Sequence, residues 1–72
     1  MTEIRAVGDR KHFIVYTESL EIERALRRLD HCVPMGTYYN PGGSKFAQDL
    51  MFGNDQKGRV RKMLEEMGNP SV

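Results

Sequence analysis

Residues 22–29, Ile-Glu-Arg-Ala-Leu-Arg-Arg-Leu, carry apolar side chains at the spacing that decides the fold. The apolar positions are Ile22, Ala25, Leu26 and Leu29. Their i, i+3, i+4, i+7 pattern places apolar side chains along one face of an α-helix. The same pattern recurs at Val60, Met63, Leu64 and Met67. The sequence therefore predicts two amphipathic helices.

Strand-like segments lie before and between these helices. Residues 3–7 alternate polar and apolar, residues 8–11 have turn composition, and residues 12–17 are rich in β-branched and aromatic types, which together predict a β-hairpin. Phe13 to Tyr16 is apolar on both faces, which indicates an inner strand. Residues 35–40 and 45–52 flank Pro41-Gly42-Gly43, which predicts a second hairpin.

The element order ββαββα predicts one α+β domain over residues 1–72, with residues 69–72 as a flexible tail. Its architecture is expected to be two-layered, with a small antiparallel sheet and both helices packed on one face. In the last strand, strict alternation places Phe46, Gln48, Leu50 and Phe52 on one face and Lys45, Ala47, Asp49 and Met51 on the other. Gln48 interrupts the apolar face, which indicates a bulge or an edge position there.

Helix boundaries can also be predicted from the sequence. Thr17 or Ser19 is expected to cap the first helix, and the segment ending in Pro34 to terminate it. Asn54 or Asp55 is expected to cap the second helix, which Gly68 closes. In the first helix, acidic residues precede basic ones, as the helix dipole favours. The spacing predicts two ion pairs, Glu23 with Arg27 and Glu21 with Arg24.

Composition and charge exclude several classes of protein. The chain has 11 basic and 10 acidic residues, a formal charge of +1, which argues against a surface that binds polyanions everywhere. One cysteine, Cys32, rules out an internal disulfide, so the cytoplasm is the expected location. No apolar run is long enough to span a membrane. A core of this size leaves a domain only marginally stable, which makes self-association an expectation.

No pattern in the sequence predicts catalysis, a cofactor or a metal site. His12, His31 and Cys32 are of zinc-ligand type but lack zinc-site spacing, and Asn40 to Lys45 lacks both the spacing and the following helix of a phosphate-binding loop. The carboxylates of both helices are expected on solvated faces. Asp49 is interpreted as an edge-strand charge that blocks unwanted pairing. A weaker alternative is a small enzyme or ligand-binding protein whose site joins Asp49, His31 and Cys32.

Two functional hypotheses follow. The first is a small non-enzymatic interaction or accessory module that forms a homodimer through its open sheet face or an edge strand. The residues expected in that contact are Ile14, Tyr16 and Met51. The alternative is nucleic-acid binding, with rings of the second hairpin stacking on bases. The expected phosphate contacts are Arg24, Arg27, Arg28, Lys57, Arg59, Arg61 and Lys62, and the expected stacking residues are Tyr38, Tyr39 and Phe46.

Overall fold

A computed structural model describes residues 1–68 of the chain. The elements, in chain order, are β1 (Thr2–Ala6), β2 (His12–Thr17), α1 (Leu20–Arg27), β3 (Val33–Tyr39), β4 (Lys45–Gly53), a 3-10 turn (Asn54–Gln56) and α2 (Lys57–Glu66). This order confirms the predicted ββαββα arrangement. The tail predicted at residues 69–72 lies outside the described residues. Within residues 1–68, no helix combines the length and the apolar character needed to cross a membrane.

The four strands form one antiparallel sheet in the order β1-β2-β4-β3. β2 is therefore an inner strand, as its two apolar faces predict. On one face, Val15 pairs with Ile4 of β1 and with Leu50 of β4. On the other face, Ile14 pairs with Arg5 and Met51. Since side chains alternate along a strand, each transverse row of paired residues belongs to one face of the sheet.

The core lies between the sheet and both helices. Strands β2 and β4 contribute two apolar side chains each, and each helix contributes two. The buried core residues are Phe13, Val15, Ile22, Leu26, Leu50, Phe52, Val60 and Leu64. The rings of Phe13 and Phe52 stack with centroids 5.6 Å apart. Both helices thus cover one face of the sheet, as predicted, and we call the other side the open face.

A polar row crosses the sheet beneath the first turn of α1. Thr2 pairs with Thr17, Thr17 with Gln48, and Gln48 with Thr37. The two threonine hydroxyls of Thr2 and Thr17 lie 2.9 Å apart, and the Thr37 hydroxyl donates to Gln48 Oε1 at 2.7 Å. The edge position considered for Gln48 is wrong, because β4 lies between β2 and β3. Its buried amide is tolerated because this row supplies hydrogen bonds.

Irregular pairing between β3 and β4 changes the faces of two side chains. The register shifts between Tyr38 and Tyr39, so that Tyr38 pairs with Ala47 but Tyr39 pairs with Lys45, which leaves Phe46 unpaired. Lys45 consequently reaches α1, and the Phe46 ring lies 6.2 Å from that of Tyr38. The predicted placement of Phe46 with Leu50 is therefore wrong, because an inserted residue reverses the alternation.

The helix ends match the sequence signals only in part. Ser19 caps α1 by accepting from the Ile22 N–H at 3.2 Å, and Gly68 follows α2 with a φ of 79°. α1 already ends at Arg27, and Pro34 lies within the edge strand β3. Neither Asn54 nor Asp55 caps α2, because both belong to the 3-10 turn that precedes it. The residue at the N-cap position of α2 is Gln56, whose side chain makes no capping bond.

Candidate functional site

The centre of the open face is a buried carboxylate. Asp49 is only 7% exposed, although no helix of residues 1–68 packs on this side. Its Oδ1 accepts from Arg5 Nη2 at 2.9 Å, and its Oδ2 accepts from the Tyr38 hydroxyl at 2.7 Å. The edge-strand interpretation of Asp49 is wrong, because β4 is an inner strand. The carboxylate instead joins side chains from both edge strands across the sheet.

Aromatic rings surround this carboxylate on one side. The Tyr16 and Tyr38 rings meet edge to face with centroids 5.5 Å apart, and Phe46 lies beyond Tyr38. The Tyr16 hydroxyl donates to Glu18 Oε2 at 2.8 Å. That bond raises the pKa of Tyr16 to about 12 and lowers the pKa of Glu18. Both tyrosine hydroxyls are therefore fixed by carboxylates, and the rings are held in place.

Aliphatic side chains form the other part of the open face. Ile14 and Met51 are half-buried neighbours in register, and Val33 continues this row on β3 with 44% of its surface exposed. Two of the residues predicted for self-association, Ile14 and Met51, therefore pack side by side, and the third, Tyr16, lies in the next row. The structure brings all three onto one surface.

The charges of the open face nearly cancel. Arg5 pairs with Asp49, and Glu18 lies 3.4 Å from the amino group of Met1. Glu3 shares the face through its pairing with Tyr16 and has no ion-pair partner within residues 1–68. A face with aromatic, methionine and arginine side chains and little net charge resembles the centre of a protein interface. It does not resemble a surface that attracts phosphates.

Helix α1 contains a buried ionic cluster, in which the predicted pair of Glu23 with Arg27 is confirmed and the contribution of Lys45 was not predicted. Glu23 is 6% exposed, and its Oε2 accepts from Arg27 Nε at 2.8 Å and from Lys45 Nζ at 2.6 Å. Burial alone raises the pKa of this carboxyl, but the two cationic donors outweigh it and hold the pKa below its usual value. The expectation of a solvated Glu23 is wrong because the β4 irregularity brings Lys45 to it. The predicted pairing of Glu21 with Arg24 is wrong, because neither residue forms an ion pair within residues 1–68.

Most of the predicted phosphate contacts form no ion pair with the acids that the structure describes. Arg27 is engaged by Glu23. Within residues 1–68, no ion pair involves the remaining six cations, Arg24, Arg28, Lys57, Arg59, Arg61 and Lys62. Of the three stacking candidates, Tyr38 lies on the open face, opposite the helices. Phe46 contacts Tyr38 but also lines a cleft at the start of α1, and the exposed Tyr39 pairs with Lys45, whose side chain reaches α1. Tyr38 and the helix cations are therefore not parts of a single surface.

The residues considered for a ligand or metal site are dispersed. Asp49 lies on the open face, and Cys32 is half-buried against the core, where burial raises the pKa of its thiol. His31 lines a cleft of about 270 Å³ at the end of the sheet together with His12. Among residues 1–68, no group of three or more His, Cys, Asp or Glu side chains is arranged to hold a metal ion.

A second cleft, also of about 270 Å³, lies between the start of α1 and the irregular part of β4. Leu20 and Phe46 form its apolar rim, and Glu23 with Lys45 lies at its wall. Glu23 and Lys45 neutralise each other at 2.6 Å, and Glu18, which also lines the cleft, is engaged by the Met1 amino group and the Tyr16 hydroxyl. Each charged group that lines the cleft therefore already has a partner within residues 1–68.

Arg5 is the residue of the open face that sequence reasoning missed. Alternation along residues 3–7 places Arg5 on the face of the sheet opposite to that of Ile4. In the same way, alternation along β4 places Asp49 on the face opposite to that of Leu50. Both therefore belong to the non-core face, which was a usable signal. Their meeting depends on β2 lying between β1 and β4, and strand order is not encoded by alternation.

The sequence matches no protein-family model, and it has no match among curated proteins or solved structures.

Proposed function

We propose that this protein is a small, non-enzymatic cytoplasmic interaction module that forms a homodimer by packing the open faces of two copies together. The observation that carries this proposal is the composition of that face. Ile14, Tyr16, Met51, Val33 and Tyr38 surround an ion pair that is already satisfied within one copy. Burying the centre of this face removes apolar area from water, and the charges of Arg5 and Asp49 remain paired with each other.

The low net charge of the face favours a second copy as its partner. In a dimer with two-fold symmetry, the same surface of both copies is in contact. A strongly charged face would therefore be repelled by the identical face of the second copy. Here Arg5 and Asp49 neutralise each other, and Glu3 is the principal charge of the face that has no ion-pair partner within residues 1–68. Arg5 is half-exposed and retains further N–H donors that carbonyl or carboxylate groups of the second copy can accept.

The edge strand β3 is a poorer contact than the face. Its pairing with β4 is irregular at two places, and Pro34 lacks an N–H. Irregular edges and prolines disfavour addition of a further strand. Since a four-stranded face is small, at roughly 20 Å by 20 Å from strand spacing and rise, we expect a dissociation constant in the micromolar range, as small interfaces have.

Sedimentation equilibrium tests this proposal. The wild-type protein should approach twice its 8.3 kDa mass at tens of micromolar. Val33→Glu, on the open face, should shift the protein to monomer. Leu20→Glu is the matched control, because Leu20 is similarly exposed, at 55%, but lies at the start of α1. A wild-type protein that stays monomeric, or two variants with equal effects, would contradict the proposal.

Nucleic-acid binding through the helix faces is a second candidate function. It is favoured by the six helix cations that pair with no acid within residues 1–68. Unpaired arginines and lysines can neutralise phosphates and release condensed counterions. Mixing the protein with labelled DNA and RNA at two salt concentrations tests it, since such binding weakens steeply with salt.

A further inference from the structure

The backbone groups of β1 point alternately toward β2 and away from it. The Glu18 N–H donates to the Met1 carbonyl at 3.0 Å, and the Val7 N–H donates to the His12 carbonyl at 3.2 Å. Because hydrogen-bonded and non-hydrogen-bonded pairs alternate along an antiparallel ladder, the odd-numbered residues between these two pairs also bond to β2. Ile4 therefore directs its N–H and C=O to the outer edge of the sheet. Within residues 1–68, neither of these two groups has a hydrogen-bond partner.

The β1 edge is regular, whereas the β3 edge is not. All five residues of β1 pair with β2 in one register without a shift. The β3 pairing shifts at two places, and that strand contains Pro34. β1 contains no proline, and its last residue, Ala6, is exposed and has only a methyl side chain. Since irregular pairing and prolines keep further strands from a sheet edge, β1 is the edge that accepts one.

A second copy of β1 fits this edge when it runs antiparallel and pairs Ile4 with Ile4. The outward N–H and C=O of each Ile4 then bond to those of the other copy, as in a hydrogen-bonded pair. The Ile4 side chain is half-buried and packs against the core on the helix-covered side of the sheet. The pairing would bring two such side chains together and join the cores of both copies.

The charges of β1 select this register. Glu3 and Arg5 flank Ile4 and lie on the open face, so the pairing places Glu3 of each copy opposite Arg5 of the other. Registers centred on Glu3 or on Arg5 would place like charges directly opposite each other, which destabilises a strand pair. Arg5 already donates to Asp49, so the main effect is that repulsion is avoided. The strand is thus complementary to itself in one register.

We propose that β1 pairs with β1 of a second copy, antiparallel and centred on Ile4, so that two four-stranded sheets become one sheet of eight strands. This inference goes beyond the proposed function, because it uses the edge of the sheet and not the open face. The two-fold axis of such a pairing is perpendicular to the sheet. The open faces of both copies then point to the same side and remain accessible for the contact proposed above.

Amide hydrogen exchange measured by NMR at two protein concentrations tests the proposal. An edge amide that points to solvent exchanges fast, and one that donates to a second copy is protected. The Ile4 N–H should exchange about tenfold more slowly at roughly 1 mM than at roughly 20 µM, because association grows with concentration by mass action. The Arg5 N–H, which the alternation directs to β2, should be protected at both concentrations and shows that β1 stays in the sheet.

A change of charge tests the register. Glu3→Arg puts a positive charge opposite Arg5 of the second copy and should abolish the slow exchange of the Ile4 N–H at the higher concentration. The matched control is Glu21→Arg, which makes the same change at an exposed residue of α1, a helix that packs on β2 and β4. This control should leave the exchange of the Ile4 N–H as in the wild type.

Each outcome separates the edge pairing from the contact of the open faces. Slow exchange of the Ile4 N–H at the higher concentration, lost in Glu3→Arg and kept in Glu21→Arg, supports the proposal. Fast exchange at both concentrations overturns it, and a protein that still sediments as a dimer then keeps the open-face contact. Slow exchange in a protein that sediments as a monomer also overturns it, because another segment of the same chain would pair with β1. Slow exchange that persists in Glu3→Arg overturns the register.

Discussion

Helices α1 and α2 make equal contributions to the core but arrange their charges in opposite ways. Each buries two aliphatic side chains against the sheet: Ile22 and Leu26 in α1, and Val60 and Leu64 in α2. In α1, the acids occupy the first turn and the arginines the last. In α2, the cations occupy the first half and the glutamates the last turn. Only the order in α1 agrees with the helix dipole.

The difference extends to the contacts that these charges make. In α1, Ser19 caps the helix and Glu23 binds Arg27 and Lys45. In α2, no side chain caps the N-terminus, and no charged side chain forms an ion pair within residues 1–68. The central charges of α1 thus stabilise the fold, whereas those of α2 oppose the helix dipole. A charge pattern that disfavours its own helix is the pattern expected where charge serves an external partner.

The largest effects should come from the core, where the helices are alike. Leu26→Ala and Leu64→Ala each remove a fully buried side chain and should lower the free energy of unfolding by about 2–5 kcal/mol. Urea denaturation followed by circular dichroism measures both. If Leu64→Ala lowers the free energy of unfolding by less than about 1 kcal/mol, well below that range, α2 packs less firmly on the sheet than α1. The two helices would then not contribute equally to the core.

The next largest effect on the free energy of unfolding should come from a charge of α1 and not from the corresponding charge of α2. Glu23→Gln removes the carboxylate that accepts from Arg27 and Lys45, and it should cost about 1–3 kcal/mol, as the loss of charged hydrogen bonds does. Glu66→Gln in α2 is the matched control. Because Glu66 is exposed and forms no ion pair within residues 1–68, its substitution should stay within about 0.5 kcal/mol. If Glu23→Gln and Glu66→Gln lowered the free energy of unfolding equally, the proposed difference between the charges of α1 and α2 would be wrong.

The Glu23 carboxylate should also contribute to the pH dependence of the free energy of unfolding. The pKa of Glu23 is lower in the folded protein than its usual value, so its contribution is present above the unfolded pKa. That contribution is lost as the pH falls through the folded pKa. The difference in unfolding free energy between the wild type and Glu23→Gln should therefore shrink from neutral pH toward strongly acidic pH. Urea melts at several pH values measure it, and a constant difference would contradict this assignment.

Much of the fold could be predicted because its signals are local. The apolar spacing of Leu26 and Leu64 identified both helices, and Pro41-Gly42-Gly43 identified the turn, in which Gly43 has a φ of 88°. The candidate site was predicted only in part. Ile14, Tyr16 and Met51 share the open face as expected, but the role of Asp49 depended on its being in an inner strand.

The smallest predicted effect should have opposite signs in the two helices. Lys57→Glu places an acid in the first turn of α2 and should raise the free energy of unfolding by about 0.3–1 kcal/mol. Glu21→Lys makes the reverse change in the first turn of α1 and should lower it by a similar amount. Urea denaturation at low salt measures both. Under the second candidate function, Lys57→Glu should also weaken nucleic-acid binding, and a gain in stability without any loss of that binding would contradict the phosphate contact proposed for Lys57.

The sequence by itself determined the element types, their order and, apart from the reversed faces of Phe46 and Lys45, which strand residues face the core. Periodic spacing and turn chemistry act over only a few residues, which is why these features could be read locally. Tertiary structure decided which strands are neighbours, and with them three long-range contacts: Arg5 with Asp49, Glu23 with Lys45, and the β1–β2 turn with Asn54. These contacts join residues 22 to 44 positions apart. Alternation and helical spacing are the same for every strand order, so only the packing of the whole chain selects among the possible pairings.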